Sequence, residues 1–294
     1  MDSEFYVQID FEKGTENPER VFQAMSDLIH TFRHIDQDLS SSIATTIQSK
    51  LILQDIETGS IRARLRSILE SIDDDGLKEL DWKKLVGSYL VKGKYKILKF
   101  LEEKDKIDNR KQIEDLRDSL VNLAEEADIK RLPFYNPIPE ARLLKDLQCL
   151  GNALVPLLET DIVKFSGNSE IVMVNKRFVV SPDAIEEILT VRVLTGQYET
   201  LLKVKKPDYL GQSMWEFKHE GRLVQAKILD INWLHKFQTK EEQLGPGDSI
   251  RAFVEVKVNY DKYGDIISSH YTVLEVREII RIPESVQQSL LLDI

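Results

Sequence analysis

Ser60-Ile61-Arg62-Ala63-Arg64-Leu65-Arg66-Ser67-Ile68-Leu69-Glu70-Ser71-Ile72 admits two readings, and the choice between them sets the fold of the first half of the chain. As a strand, Ile61, Ala63 and Leu65 alternate with Arg62, Arg64 and Arg66. As a helix capped by Ser60, Ile61, Leu65, Ile68, Leu69 and Ile72 form an apolar stripe. A strand turning into a helix accommodates both patterns, and with the residues before it predicts a β-α-β-β unit.

Upstream, Phe5, Val7, Ile9 and Phe11 alternate with Tyr6, Gln8, Asp10 and Glu12, the period-two pattern of a strand with one buried face. Asn17 as N-cap and Pro18 at the first helical position open a helix. Val21, Phe22, Met25, Leu28, Ile29, Phe32, Ile35 and Leu39 make its core-facing stripe. Ile47 to Ile56 reads as a second strand, ended by Thr58-Gly59-Ser60.

Downstream, Asp73-Asp74-Asp75-Gly76 opens a helix carrying Trp82, Leu85, Val86, Tyr89, Leu90, Ile97 and Phe100, and a further helix capped near Asp108 covers Ile113 to Ala127. Pro133, Pro137 and Pro139 forbid regular structure and mark residues 131–140 as a linker. A helix over Ala141–Leu150, a hairpin of Ile162–Phe165 with Ile171–Val180, and a short helix opened by Ser181-Pro182-Asp183 follow. The texture then changes to short strands at Tyr198–Lys205, Met214–Lys218, Leu223–Leu229, Ser249–Tyr260 and Ile266–Ile279, with Asn232–Gln238 a short plugging helix.

The fold class expected is therefore α+β: an α/β unit with a helical extension over 1–130, the linker, a helix-hairpin-helix connector over 141–196, and a small antiparallel β-barrel or sandwich over 197–282. A helix over 283–294 closes the chain, with Val286, Leu290 and Ile294 aligned as an oligomer contact.

At 294 residues, 42% hydrophobic and 31% charged, the chain can bury a core without disulfide or metal staples, and its one cysteine, Cys149, has no partner. The acidic start Met1-Asp2-Ser3-Glu4 and the lack of a long apolar run point to a cytoplasmic protein outside membranes. A net charge of −10 opposes general attraction to nucleic acid.

Chemistry-bearing candidates are few. His30 and His34, at i and i+4 with Asp27 and Asp38 in line, could grip a metal, but the helical count turns them to solvent and no third ligand is near, so no metal is expected. Asp36 falls beside the apolar stripe, where a carboxylate needs a partner; an arginine of the following hairpin is the structural candidate and a general base the functional one. Asp73–Gly76 fails as a calcium loop, since Lys78 and Lys84 stand where glycine and glutamate belong.

No phosphate loop, nucleophile elbow or zinc-protease motif is present, and no cofactor is expected. Trp215, Phe217 and His219 suit a barrel core better than a pocket.

The strongest binding surface is cationic. Lys83, Lys84, Lys92, Lys96 and Lys99 lie away from the Trp82–Phe100 stripe, with Lys78 and Lys94 near, and Arg62, Arg64 and Arg66 could extend the strip with bidentate phosphate donors. It lacks interleaved aromatics for stacking bases. The expectation is a non-enzymatic binding or assembly protein acting through protein contacts or self-association; the alternative is an accessory protein binding nucleic acid or a nucleotide-like anion through that strip.

Overall fold

A computed structural model describes every residue except 1, 2, 13, 15, 16, 58, 59, 72–81, 128, 130–134, 168, 169, 210–212, 246 and 282–294. The expected C-terminal contact residues Val286, Leu290 and Ile294, the Asp73–Gly76 stretch and Lys78 lie outside the described residues. The chain divides into two compact units, Met1–Ile188 and Leu189–Ile294. No helix among the described residues is long and apolar enough to cross a membrane.

Unit 1 opens with the expected β-α-β-β order: β1 (Glu4–Asp10), α1 (Glu19–Ile43), β2 (Ile47–Glu57) and β3 (Ile61–Ser71). From Ile61 to Ser71 the segment that read two ways is strand, because β2 pairs with it without a break from Ile47 opposite Ser71 to Leu53 opposite Leu65. A neighbour that supplies ladder bonds along the whole length overrides the helical spacing of Leu65, Ile68 and Leu69.

The helices α2 (Trp82–Leu101), α3 (Arg110–Glu126) and α4 (Glu140–Leu154) follow, then the hairpin β4 (Ile162–Gly167) and β5 (Glu170–Met173), and α5 (Pro182–Leu189). β4 pairs antiparallel with β1, so the hairpin completes a five-stranded sheet in the order β2-β3-β1-β4-β5.

One face of this sheet is covered and buries Phe5, Val7, Ile9, Ala63, Leu65, Val163 and Phe165. Phe5, Phe32 of α1 and Phe165 meet with ring centroids 5.3 to 5.8 Å apart, each such buried side chain contributing roughly 1.5–3 kcal/mol. Two local expectations fail. α1 is capped by Pro18 with no side-chain bond, because Asn17 is held at φ 58° with its carbonyl, not its side chain, bonded to the helix. Phe22, placed in the stripe by its spacing, is 64% exposed at the helix's first turn.

Unit 2 is a closed five-stranded barrel of β6 (Arg192–Lys206), β7 (Trp215–His219), β8 (Arg222–Ile228), β9 (Ser249–Tyr260) and β10 (Ile266–Ile280), with α6 (Ile231–Gln238) between β8 and β9. Around the barrel the order is β6-β7-β8-β10-β9, all pairs antiparallel except β8 with β10. The parallel β8–β10 pair closes what is otherwise an antiparallel barrel.

Asp230 caps α6 by accepting the Trp233 N–H at 3.0 Å, and the helix drives Trp233 and Phe237 against Trp215 at ring separations of 5.8 and 4.9 Å. The β7–β8 turn holds Glu220 at φ 46° and Gly221 at φ 82°, the paired positive angles of a hairpin turn matched to strand twist.

Candidate anion-binding site

A cleft forms in unit 1 where β1 stops short of β3. Glu4, the first residue of β1, stands opposite Arg66, and Ser3 makes one further link, its carbonyl accepting the Ser67 N–H at 3.2 Å. The start of α2 comes alongside this end of β1 because Gly87 has no side chain; a Cβ there would lie 2.9 Å from that of Ser3. The cleft holds about 700 Å³ and is lined, among the described residues, by Ser3, Arg66, Ser67, Ile68, Leu69, Lys83 and Lys84. That is within the range of small-ligand sites, roughly 300–1,000 Å³.

Three cations and no carboxylate appear in that lining. Arg66 is exposed and makes no ion pair with another described residue, and the Lys83 ammonium lies 5.4 Å from the centroid of the Trp82 ring. Three cations among the described lining residues run counter to the chain's net charge of −10.

Beneath the cleft lies a buried polar triad. Ser67 donates its hydroxyl to Asp36 Oδ2 at 2.6 Å, and the ammonium of Lys94 bonds the other oxygen of the same carboxylate. Asp36 is 1% and Lys94 0% exposed, and the Lys94 Nζ also sits 4.5 Å from the Phe5 ring centroid. Burial pulls the Lys94 ammonium below the ordinary lysine range, while the Asp36 carboxylate opposes that pull. The partner of Asp36 is therefore a lysine of α2, not an arginine of the hairpin, since the arginines project from the opposite face of β3. Both carboxylate oxygens are engaged and out of solvent, which leaves no base for an external ligand.

The remaining strip residues disperse. Arg62 stacks 4.2 Å above the Tyr6 ring, and Arg64 bonds Glu4 at 2.7 Å, holding that carboxyl below its usual range. At 1.5 Å rise per residue, Lys92 and Lys96 stand about 12 and 18 Å along α2 from Lys84. Lys99 bonds Glu102 on the same turn. Lys94, counted with the strip by sequence, belongs to the core.

No family model, curated protein or solved structure matches the chain.

His30 and His34 are exposed, Asp27 accepts from Gln23 at 2.9 Å, Asp38 pairs with Arg142 at 2.8 Å, and no group of three or more metal-ligating side chains occurs among the described residues. Cys149 is half-buried, and burial raises its thiol pKa against the pull of Lys145. Trp215, Phe217 and His219 are barrel core.

On the barrel's outer surface Lys203 of β6 stands directly opposite Lys218 of β7, with Lys227 on β8 also outward and exposed. Like charges in facing positions are unfavourable without an anion nearby. Sequence reading missed this pair because only the register reveals it.

Proposed function

We propose that the chain is a non-enzymatic binding protein whose first unit takes a phosphate-bearing ligand in the Arg66–Lys83–Lys84 cleft. The observation that carries this reading is that three cationic residues, one on a strand and two on a helix, share the lining of one cavity whose described residues include no carboxylate. Arg66 offers a planar bidentate fork, the lysines offer point charges, and Ser3 adds a hydroxyl. The described lining has no aromatic face, so the ligand is gripped by phosphate rather than by a stacked base.

The source of the phosphate is either a free nucleotide or a nucleic-acid strand. The facing lysines Lys203 and Lys218 on the barrel's outer surface are a second cationic feature that favours a strand. The test uses ATP by calorimetry and a fluorescein-labelled single-stranded 12-mer by anisotropy, at two salt concentrations. Binding is expected to weaken with salt, with three phosphate contacts giving a log–log slope of about −2 for the strand. R66E together with K83E should weaken it at least tenfold, while K92E with K96E should leave it within about threefold. Binding of neither probe, or binding indifferent to R66E and K83E, overturns the reading.

A further inference from the structure

β6 is longer than the barrel needs. It pairs with β9 from Arg192 opposite Tyr260 to Lys203 opposite Ser249, with no shift in register, but with β7 only between Lys203 and Lys206. The N-terminal half of β6 therefore projects as the outer strand of an arm completed by β9 and the start of β10. Near Leu201 the edge is closed off by the β7–β8 hairpin, where Thr200 Oγ1 lies 3.1 Å from His219 Nε2. Between Val193 and Glu199 β6 has no second strand beside it among the described residues.

The direction of the backbone groups follows from the ladder. Val204 donates its N–H to the carbonyl of Asp248, the residue just before β9, at 2.9 Å, so even-numbered residues turn their peptide groups to β9 and odd-numbered ones turn theirs the other way. Val193, Thr195, Gln197 and Glu199 accordingly present four N–H and four C=O groups along the open edge. Edges of this kind are normally guarded by lysine, proline, a bulge or a covering element. Between Val193 and Glu199 the residues are Val, Leu, Thr, Gly, Gln, Tyr and Glu, the ladder with β9 has no bulge, and no covering element occurs among the described residues. Leu194 and Tyr198 are 48% and 41% exposed on the face that continues the barrel core.

We infer that the open edge of β6 pairs antiparallel with the same edge of a second copy of this chain, across a two-fold axis through Gly196. The edge is self-complementary about that point. Val193 faces Glu199 of the partner, Thr195 faces Gln197, and all four pairs exchange two backbone bonds each. On the other face Leu194 meets Tyr198, an aliphatic–aromatic cross-strand pair made twice. Gly196 meets itself on the axis, and the space where its side chain would stand is open.

Charge permits an identical partner. The only ionised residue in the segment, Glu199, has the guanidinium of Arg251 on β9 at 3.7 Å, so the dyad opposes no bare like charges. Seven residues at about 3.4 Å and a sheet layer about 10 Å thick bury on the order of 500 Å² in total. A stable interface takes roughly 1,200–2,000 Å², so the dimer is expected to be weak and concentration-dependent.

The test is sedimentation velocity of the full chain across concentration, with two variants. Replacing Thr195 and Gln197 together by lysine (T195K/Q197K) sets like charges face to face twice across the axis and should weaken association at least a hundredfold. Gly196→Cys in a Cys149→Ser background should form an intermolecular disulfide under mild oxidation, since the two Cα atoms of such a non-bonded pair lie about 4.5 Å apart. A chain that stays monomeric at high concentration overturns the inference. So does a dimer that survives T195K/Q197K, fails to cross-link through Gly196→Cys, or dissociates when residues 284–294 are removed.

Discussion

Converting Asp36 to asparagine should be the most damaging near-isosteric change in unit 1, and its cost should shrink as pH rises. The amide can still bond Ser67, but it leaves the 0% exposed Lys94 ammonium without a counter-charge. The folded variant relieves this by releasing the proton. At pH 7, removing a proton from a lysine of ordinary pKa near 10.4 costs about 3.4 units at 1.36 kcal/mol, or roughly 4.6 kcal/mol. That agrees with the approximately 3–5 kcal/mol found when one member of a buried pair is removed.

The sign follows from linkage. In the variant the folded state has lost Lys94's proton while the unfolded state keeps it, so the unfolded state binds more protons and stability rises with pH. The deficit should fall by about 1.36 kcal/mol per unit, to roughly 2 kcal/mol at pH 9. Urea unfolding followed by circular dichroism at pH 7 and 9, with the native chain as reference, reads both numbers. At roughly 2–4 °C per kcal/mol for a unit of this size, the melting point should drop about 9–18 °C at pH 7. Replacing both partners, D36L with K94M, should recover most of the loss. A deficit below about 1 kcal/mol at pH 7, or one that does not change with pH, refutes the argument that burial of an uncompensated charge sets the cost.

Asp146 on α4 is buried against Asp38, and burial together with that second carboxylate raises its pKa to about 8, with Arg142 opposing. Its raised value means the folded state holds the proton longer, so its contribution is full below about pH 4 and is lost as pH climbs through about 8; Asp146→Asn should flatten that decline in a pH series of unfolding curves. Gly151→Ala would put a Cβ 2.8 Å from the Phe178 carbonyl oxygen, so α4 must shift, and thermal melts should show a loss of about 1–3 kcal/mol. Trp233→Ala empties the end of the barrel beside Trp215 and should cost about 3–5 kcal/mol, read from the loss of cooperative unfolding of unit 2. His30→Ala with His34→Ala should leave stability within about 0.5 kcal/mol, because both rings are exposed; a larger change by urea titration contradicts a surface role.

Periodicity made much of this fold legible. The alternation at Phe5–Ile9 and at Ile250–Val258, the stripe of α1 and the plug of α6 each depend on residues within a few positions of one another, and each appears where spacing puts it. What spacing could not supply was the neighbour. Ile68 and Leu69 fit a helix as well as a strand until β2 lies beside them. The first six residues of β6, Arg192–Gln197, were missed because the adjacent Val193 and Leu194 do not alternate with polar residues; with no second strand alongside, neither face is fully buried, and the pattern that marks a half-buried strand has no cause to arise.

The candidate site divides along the same line. Lysines on one helix can be counted from sequence, but which of them share a cavity depends on where β1 ends. Arg62, Arg64 and Arg66 are equivalent in the alternation, yet Arg62 stacks on Tyr6, Arg64 bonds Glu4, and only Arg66, opposite the first residue of β1, lines the cleft. Lys94 sits among the same lysines, and its burial depends on Asp36, 58 residues away in the chain.

This locality bears on what the cleft can hold. Screening at physiological salt limits exposed charges to about 8 Å, so the three cations act on phosphates inside the cavity while a long polyanion still meets a chain of net charge −10. Each nucleotide beyond those within reach of Arg66, Lys83 and Lys84 adds a charge with no matching cation from that cluster. Affinity for single strands should therefore level off at a short length if the cleft is the binding site.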